Sequence, residues 1–213
     1  MKDGFVRVAV ATPKLRVADC TFNAEQTVQC IAEAEQAQAS LIVFPELGLS
    51  AYTCADLFLQ PTLLNGALTA LKTVVDTSQD KDIVAVVGLP LVWKGKLYNC
   101  AAVIQHGSVL GVVPKTQIPN YGEFYEYRWF TRAPDSIGEI ILFGTTVPFG
   151  TDILFRSTIL ENFTIAVELC EDLWVPNAPS FRHAQAGATV VVNLSASDEL
   201  VGKAAYKRQM IAH

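Results

Sequence analysis

Leu41-Ile42-Val43-Phe44 is a short, wholly apolar run closed by Pro45, and it points to the fold class. A strand with one solvated face alternates apolar and polar residues, so an unbroken apolar run predicts a strand covered on both faces. Helices are predicted on both sides of it, over residues 23–39 and 63–75, where apolar residues follow the 3.6-residue helical period. This alternation predicts an α/β protein whose sheets are covered by helices.

The remaining segments extend this pattern. Strands are predicted at residues 6–11, 83–93, 97–106, 109–113, 139–143, 153–155, 163–167 and 189–194, and helices at 180–186 and from about 198. The three strands between residues 83 and 113 are joined by short turns and form a predicted meander. Residues 114–138 are instead polar, aromatic and rich in turn residues, which is typical of a functional loop.

Composition excludes several classes of protein. The chain has 213 residues, with 16 Lys+Arg against 21 Asp+Glu for a net charge of −5, and 51% of its residues are hydrophobic. That hydrophobic content excludes a disordered chain, and the acidic balance gives no reason to expect a nucleic-acid partner. The longest apolar stretch, Ile83 to Trp93, is interrupted by glycine and proline, so no membrane span is predicted. Five scattered cysteines without a CxxC pair indicate neither a disulfide framework nor a zinc site, so a cytoplasmic enzyme with free thiols is expected.

Three reactive side chains each follow a predicted strand: Glu46, Lys115 and Cys170. Loops beyond the carboxyl ends of the strands share one crevice in α/β sheets, so these side chains are expected to converge. A thiolate is a nucleophile whose pKa a nearby cation lowers, and a carboxylate can take the thiol proton and return it to a leaving amine. Lys115 and the backbone N–H of Glu171 would face the oxyanion of a tetrahedral intermediate. Such a set would cleave an amide-like C–N bond without a metal or a histidine.

Each of the three residues also has an ordinary structural interpretation. A cysteine at the end of a strand is most often a small buried hydrophobe. Glu46 could be a solvated loop acid and Lys115 a surface lysine. Position alone therefore leaves both interpretations open.

Local strings favour the catalytic interpretation. Phe44-Pro45-Glu46-Leu47, Lys115 after a strand, and Glu168-Leu169-Cys170-Glu171-Asp172-Leu173-Trp174 resemble the nitrilase (carbon–nitrogen hydrolase) superfamily, whose catalytic triad is Glu, Lys and Cys. The resemblance implies a nitrilase-like αββα four-layer sandwich in which Glu46, Lys115 and Cys170 are the catalytic residues.

Longer strings narrow this resemblance. Residues 49–58, 118–126 and 193–197 are similar to the N-terminal glutaminase domain of glutamine-dependent NAD synthetases. The resemblance implies hydrolysis of L-glutamine to glutamate and ammonia through a Cys thioester, with no cofactor for this domain. A C-terminal synthetase domain of the same chain would use the ammonia, with ATP and Mg²⁺, to amidate nicotinic acid adenine dinucleotide to NAD. Residues 1–213 would then be an incomplete glutaminase domain, truncated at its C-terminus, with the synthetase domain downstream and a homo-oligomer implied.

Two other functions remain open at this stage. One is a stand-alone carbon–nitrogen hydrolase that acts on an ω-amide or carbamoyl substrate. The other is an inactive interaction module.

Position by position, the resemblance implies a glutamine pocket lined by six side chains: Tyr52, Tyr121, Glu171, Trp174, Ser197 and Lys203. A free amino acid is a zwitterion, so its pocket needs an acid for the ammonium and a cation or hydroxyls for the carboxylate. Glu171 is expected to meet the ammonium, and Ser197 and Lys203 the carboxylate. Members of the family commonly have Arg where Lys203 stands, and a lysine lacks the bidentate fork of arginine.

A second carboxylate is implied beside the lysine. Glu123 follows Lys115 by eight positions, where many nitrilase relatives have an acid that orients the lysine, and it is the preferred assignment. Glu126 is the alternative, and the two acids would share one face if this segment were helical.

Overall fold

The computed structural model describes residues 4–212. Its strands are β1 Val8–Val10, β2 Leu41–Val43, β3 Val84–Trp93, β4 Lys96–Gln105, β5 Ser108–Pro114, β6 Gly138–Leu142, β7 Thr145–Phe149, β8 Leu154–Arg156, β9 Thr164–Leu169 and β10 Val190–Leu194. Its α-helices are α1 Cys20–Gln36, α2 Pro61–Thr77, α3 Pro179–Gln185 and α4 Lys203–Ala212. Short 3-10 helices cover Ala55–Leu59, Glu126–Arg128 and Cys170–Trp174.

The strands form two sheets. The larger has seven strands in the order β1-β2-β3-β4-β5-β7-β6, and the smaller has three in the order β10-β9-β8. The first three strands of the large sheet are parallel, while β3, β4 and β5 form the predicted antiparallel meander. In the small sheet, β9 pairs parallel with β10 and antiparallel with β8.

The apolar run of β2 is buried on both sides because it separates two cores. Ile42 packs in the core on the helix side of the large sheet, together with residues of α1 and α2. Leu41 and Val43 point the opposite way, into a second core shared with Val167 and Leu169 of the small sheet. Alternate residues of a strand face opposite sides, so a strand between two cores must be apolar at every position.

These contacts arrange the chain in four layers. Helices α1 and α2 cover the outer face of the large sheet, the two sheets pack face to face, and α3 lies on the small sheet against β9 and β10. The predicted αββα sandwich is therefore confirmed. No helix in residues 4–212 combines the length and the apolar character needed to cross a membrane.

Some element boundaries differ from the sequence prediction. Helix α1 begins at Cys20 rather than Asn23, because the Asp19 side chain accepts a hydrogen bond from the Phe22 N–H and caps it. The buried Asn23 side chain instead holds the backbone of Arg16. Strand β7 was not predicted, and the last helix begins at Lys203 instead of residue 198.

Candidate active site

The first half of the site is a buried ion pair between two strand ends of the large sheet. Glu46 follows β2 and Lys115 follows β5, and the Lys115 Nζ lies 2.6 Å from the Glu46 Oε1. Glu46 is 1% exposed and Lys115 is fully buried. An ion pair removed from water is costly unless its remaining hydrogen-bonding groups are also satisfied, so the surrounding polar groups are part of the site.

Gly88 of β3 lets the loop that carries Glu46 approach the sheet. A Cβ at this position would lie 2.4 Å from the Leu47 backbone nitrogen and 2.6 Å from the Pro45 oxygen. The backbone N–H of Leu49 donates to the Gly88 oxygen at 3.0 Å and fixes the loop there. A glycine in the interior of a strand commonly marks such a close approach.

The Glu46 carboxylate accepts hydrogen bonds from three nitrogen donors. Its Oε1 accepts from Lys115 and, at 2.7 Å, from the Nδ2 of Asn99, while its Oε2 accepts from the Ala196 N–H at 3.0 Å. Asn99 lies in β4, is fully buried, and was not identified from the sequence. The available signal was an amide in a strand whose next five residues are all apolar, since buried polar side chains are retained where they have a partner.

Glu126, not Glu123, is the second acid at Lys115. The Lys115 Nζ lies 2.8 and 3.0 Å from the two carboxylate oxygens of Glu126, which is 2% exposed. Glu123 is exposed to solvent. The assignment to Glu123 is therefore wrong in this structure. The 3-10 helix begins only at Glu126, so Glu123 lies outside it and the two acids do not share a helical face.

The pKa of Lys115 reflects these surroundings. Burial alone would lower it, but the negative charges of Glu46 and Glu126 outweigh burial and raise it. Lys115 is therefore an ammonium at neutral pH. Burial also raises the pKa of Glu126, and Lys115 opposes that shift.

Cys170 lies directly after β9, at the start of a 3-10 helix, and is 5% exposed. Its φ of 43° is in the left-handed region, which costs a residue with a side chain about 1–3 kcal/mol. The sharp turn is held by Asn193 of β10, whose Nδ2 donates to the Cys170 carbonyl oxygen at 3.3 Å.

The Cys170 thiol is not a thiolate at rest. Burial first, then the charge of Glu46 and a hydrogen bond to it, raise the pKa of Cys170 to about 12, against the opposing effect of Lys115. Lys115 lowers this pKa, as expected, but burial and the Glu46 carboxylate raise it by more. A neutral thiol beside a carboxylate needs that carboxylate to remove its proton during attack.

The six residues implied for the glutamine pocket fall into two groups and one outlier. Tyr121 donates to the Glu171 Oε1 at 2.8 Å, and this pair is accessible to solvent. Trp174 stacks on Tyr206 of α4, with the Lys203 Nζ 5.4 Å from the Trp174 ring centroid. Lys203 also pairs with Asp198, whose backbone oxygen is 3.4 Å from the Ser197 Oγ.

Tyr52 is the outlier. Its hydroxyl donates to the Glu126 Oε1 at 2.6 Å, so it lies behind the lysine and holds Glu126. Burial, followed by the charge of Glu126, raises the pKa of Tyr52 well above its usual value. Among residues 4–212, no group of three or more His, Cys, Asp and Glu side chains is placed to hold a metal ion.

Fold and site together define a class of enzyme. The sequence profile of the carbon-nitrogen hydrolases matches residues 7–212. The chain belongs to the carbon–nitrogen hydrolase family.

Comparison with individual proteins gives a more specific relationship. The chain is 44% identical over 205 residues to the glutamine-dependent NAD(+) synthetase of Mycobacterium tuberculosis. The matched region covers 96% of this chain and 30% of that protein. It is 32% identical over 206 residues to the enzyme of the same name from Aquifex aeolicus, covering 97% of this chain and 33% of that protein. The chain thus spans about a third of the length of these relatives.

Solved structures give the same relationship. The glutamine-dependent NAD(+) synthetase from Cytophaga hutchinsonii superposes with a TM-score of 0.85 at 30% identity, over 97% of this chain and 33% of that chain. An amidase from Nesterenkonia sp. superposes with a TM-score of 0.69 at 20% identity, over 93% of this chain and 68% of that chain, a likeness of fold alone.

Proposed function

We propose that this chain hydrolyses L-glutamine to L-glutamate and ammonia through a thioester on Cys170. The observation that carries the proposal is the buried contact of Lys115 with Glu46 and Glu126 beside Cys170. The similarity to glutamine-dependent NAD(+) synthetases supports glutamine as the amide substrate.

The acylation half begins with a neutral thiol. Glu46 takes the proton from the Cys170 Sγ as sulfur attacks the side-chain amide carbon of glutamine. The Lys115 ammonium and the backbone N–H of Glu171 stabilise the oxyanion, which forms where water is excluded. The C–N bond then breaks, and the proton held by Glu46 leaves with ammonia.

The deacylation half repeats these roles with water. Glu46 takes a proton from the water that attacks the thioester carbonyl carbon, and Lys115 again faces the oxyanion. The C–S bond breaks, the proton returns to the Cys170 sulfur, and glutamate leaves. The sum is glutamine and water converted to glutamate and ammonia, with the enzyme unchanged.

Recognition of glutamine is assigned to the solvent-facing group of residues. The Glu171 carboxylate, oriented by the hydrogen bond from Tyr121, would accept hydrogen bonds from the α-ammonium of the substrate. Ser197 and Lys203 would bind the α-carboxylate, for which Lys203 must exchange its ion pair with Asp198. Tyr52 contributes indirectly, by holding Glu126.

The ammonia would serve a second reaction outside residues 1–213. The relatives are named for NAD(+) synthesis, and this chain spans 30% of the M. tuberculosis protein. We therefore assign residues 1–213 to the glutaminase domain and expect a synthetase domain in the same chain, which would use ATP and Mg²⁺. The whole protein is expected to assemble as a homo-oligomer.

The test is glutamine hydrolysis by the full-length protein. Cys170→Ala is expected to abolish glutamate release, while wild-type enzyme given hydroxylamine should form γ-glutamyl hydroxamate from the thioester. The control is Cys30→Ala, which removes a thiol on α1 away from the strand ends and should leave the rate unchanged. Glutamate release that persists in Cys170→Ala would refute the assignment.

Substrate scope separates glutamine from the open alternative of another ω-amide or carbamoyl compound. If Glu171 and Lys203 bind the zwitterion, an amide that lacks the α-amino and α-carboxylate groups should have a much lower kcat/KM than glutamine. Equal kcat/KM values would favour a stand-alone amidohydrolase. An absence of hydrolysis with every amide would favour an interaction module.

A further inference from the structure

A further buried carboxylate, Asp172, lies beside the site and does not hydrogen-bond Lys115. Asp172 is in the 3-10 helix that begins at Cys170, and it is 1% exposed. Its oxygens accept hydrogen bonds from the Leu169 N–H at 3.1 Å, the Thr116 N–H at 3.0 Å and the Gln117 N–H at 2.7 Å. The Thr116 hydroxyl donates to it as well.

These donors come from the two chain segments that carry the nucleophile and the ammonium. Leu169 immediately precedes Cys170 at the end of β9, in the small sheet. Thr116 and Gln117 immediately follow Lys115, beyond β5 of the large sheet. The Asp172 carboxylate therefore links the two sheets by hydrogen bonds next to Lys115 and Cys170, and we call this link the tie.

The ionised form of Asp172 fits this set of partners without any rearrangement. An ionised carboxylate is an acceptor at every lone pair, whereas a protonated one carries an O–H donor. Three of the partners are backbone N–H groups, which can only donate, so none of them can accept a proton held by Asp172. The Thr116 hydroxyl is the one partner that could rotate to accept.

The pKa of Asp172 depends on burial, on its hydrogen bonds and on the nearby charge of Lys115. Burial raises the pKa of Asp172 to about 6, although the hydrogen bonds from Thr116, Gln117 and Leu169 and the charge of Lys115 all lower it. Thr116 and Gln117 also line a cavity of about 330 Å³. The charged residues that line this cavity are Arg132, Asp135, Asp152 and Arg182.

We propose that Asp172 is a positioning residue that sets the placement of Lys115 relative to Cys170, and that its ionised form is required for hydrolysis. The proposal rests on the glutaminase function above, in which Lys115 faces the oxyanion formed at the Cys170 sulfur. A shift of about 1 Å between reacting groups can cost about a hundredfold in rate. Loss of the tie should therefore lower kcat and leave KM nearly unchanged.

Protonation of Asp172 should loosen the tie without unfolding the chain. The pKa of Asp172 is higher in the folded protein than the ordinary aspartate value, so the folded state binds this proton more tightly than the unfolded state does. Protonation below about pH 6 thus favours folding as far as this group is concerned. Activity that falls in this range while the fold persists is the expected signature.

The experiment compares three forms of the full-length protein: wild type, Asp172→Asn and Thr116→Val. Asp172→Asn should lower kcat by about ten- to hundredfold with KM within about twofold. Thr116→Val removes one hydrogen bond that lowers the pKa of Asp172, so this pKa should rise. The fall of kcat on the acidic side of the pH profile, the acidic limb, should therefore move to higher pH, while the maximum kcat stays nearly normal. Wild-type kcat in folded Asp172→Asn, or an unmoved limb in Thr116→Val, would overturn the proposal.

A second readout does not need glutamine. The rate at which iodoacetamide alkylates Cys170 depends on the nearby Lys115 charge, so Asp172→Asn should alkylate more slowly than wild type at pH 8. If wild type hydrolyses no glutamine, the proposed function fails, while this comparison still tests the tie. Equal alkylation rates in the two proteins would count against the role of Asp172.

Discussion

Replacing Glu126 by Gln tests the assignment of the second acid at Lys115. The change keeps the size of the side chain and one acceptor oxygen but removes the charge and one of the two contacts with the Lys115 Nζ, at 2.8 and 3.0 Å. A hydrogen bond to a charged group is worth about 1.5–3 kcal/mol. If this energy holds the ammonium toward the oxyanion, kcat should fall by about ten- to hundredfold.

The same substitution should make the Cys170 thiol more acidic. The charge of Glu126 is one of the causes that raise the pKa of Cys170, so removing it lowers that pKa. The pH dependence of Cys170 alkylation by iodoacetamide should therefore move to lower pH while hydrolysis slows. The two changes in opposite directions separate a lost positioning contact from general unfolding.

The matched control is Glu123→Gln, in the same loop. Glu123 is exposed and does not contact Lys115, so its kcat for glutamine hydrolysis should stay within about twofold of wild type. Steady-state glutamate release by the full-length protein is the assay. A large loss of kcat in Glu123→Gln together with normal kcat in Glu126→Gln would refute the reasoning.

Three further predictions concern other contacts of the site. Asn99→Leu removes the hydrogen-bond donor that lies 2.7 Å from the Glu46 Oε1. The kcat at saturating glutamine should therefore fall by about tenfold or more. An unchanged kcat would contradict this role of Asn99. Because the pKa of Cys170 is raised to about 12, its alkylation rate in wild type should keep rising from pH 7 to pH 9, and a plateau near pH 7 would contradict the neutral thiol. Lys203→Ala should raise KM for glutamine more than it lowers kcat, and the reverse pattern would remove Lys203 from carboxylate binding.

Much of the fold was predictable because the sheets are buried on both faces. The unbroken apolar run of β2 and the alternation of helix and strand follow directly from a sheet between two cores. Strand β7 escaped prediction because its five residues include two exposed threonines and a proline, and their pattern depends on pairing with β6. Helix α1 was placed three residues late because the cap is Asp19, and the Asn23 side chain instead hydrogen-bonds the backbone of Arg16 and Leu49.

The site was predictable only as far as its residues follow strands or match a motif. Glu46, Lys115 and Cys170 met both conditions. Asn99 and Asp172 contribute through hydrogen bonds to residues 53 and 56 positions away in sequence. Glu126 was considered only as the alternative to Glu123, and the contact with Lys115 decides between the two. The raised pKa of Cys170 likewise depends on its burial and on the nearby Glu46 carboxylate, which are properties of the folded chain.

The most direct test of the central claim is to identify the residue that reacts with a glutamine-like electrophile. The full-length protein would be treated with a diazo-ketone analogue of glutamine, and the adduct located by peptide mass spectrometry. One adduct on Cys170, competed by glutamine and absent from Cys170→Ala, is the predicted result. An adduct on one of the other four cysteines, or none while glutamine is still hydrolysed, would contradict Cys170 as the nucleophile.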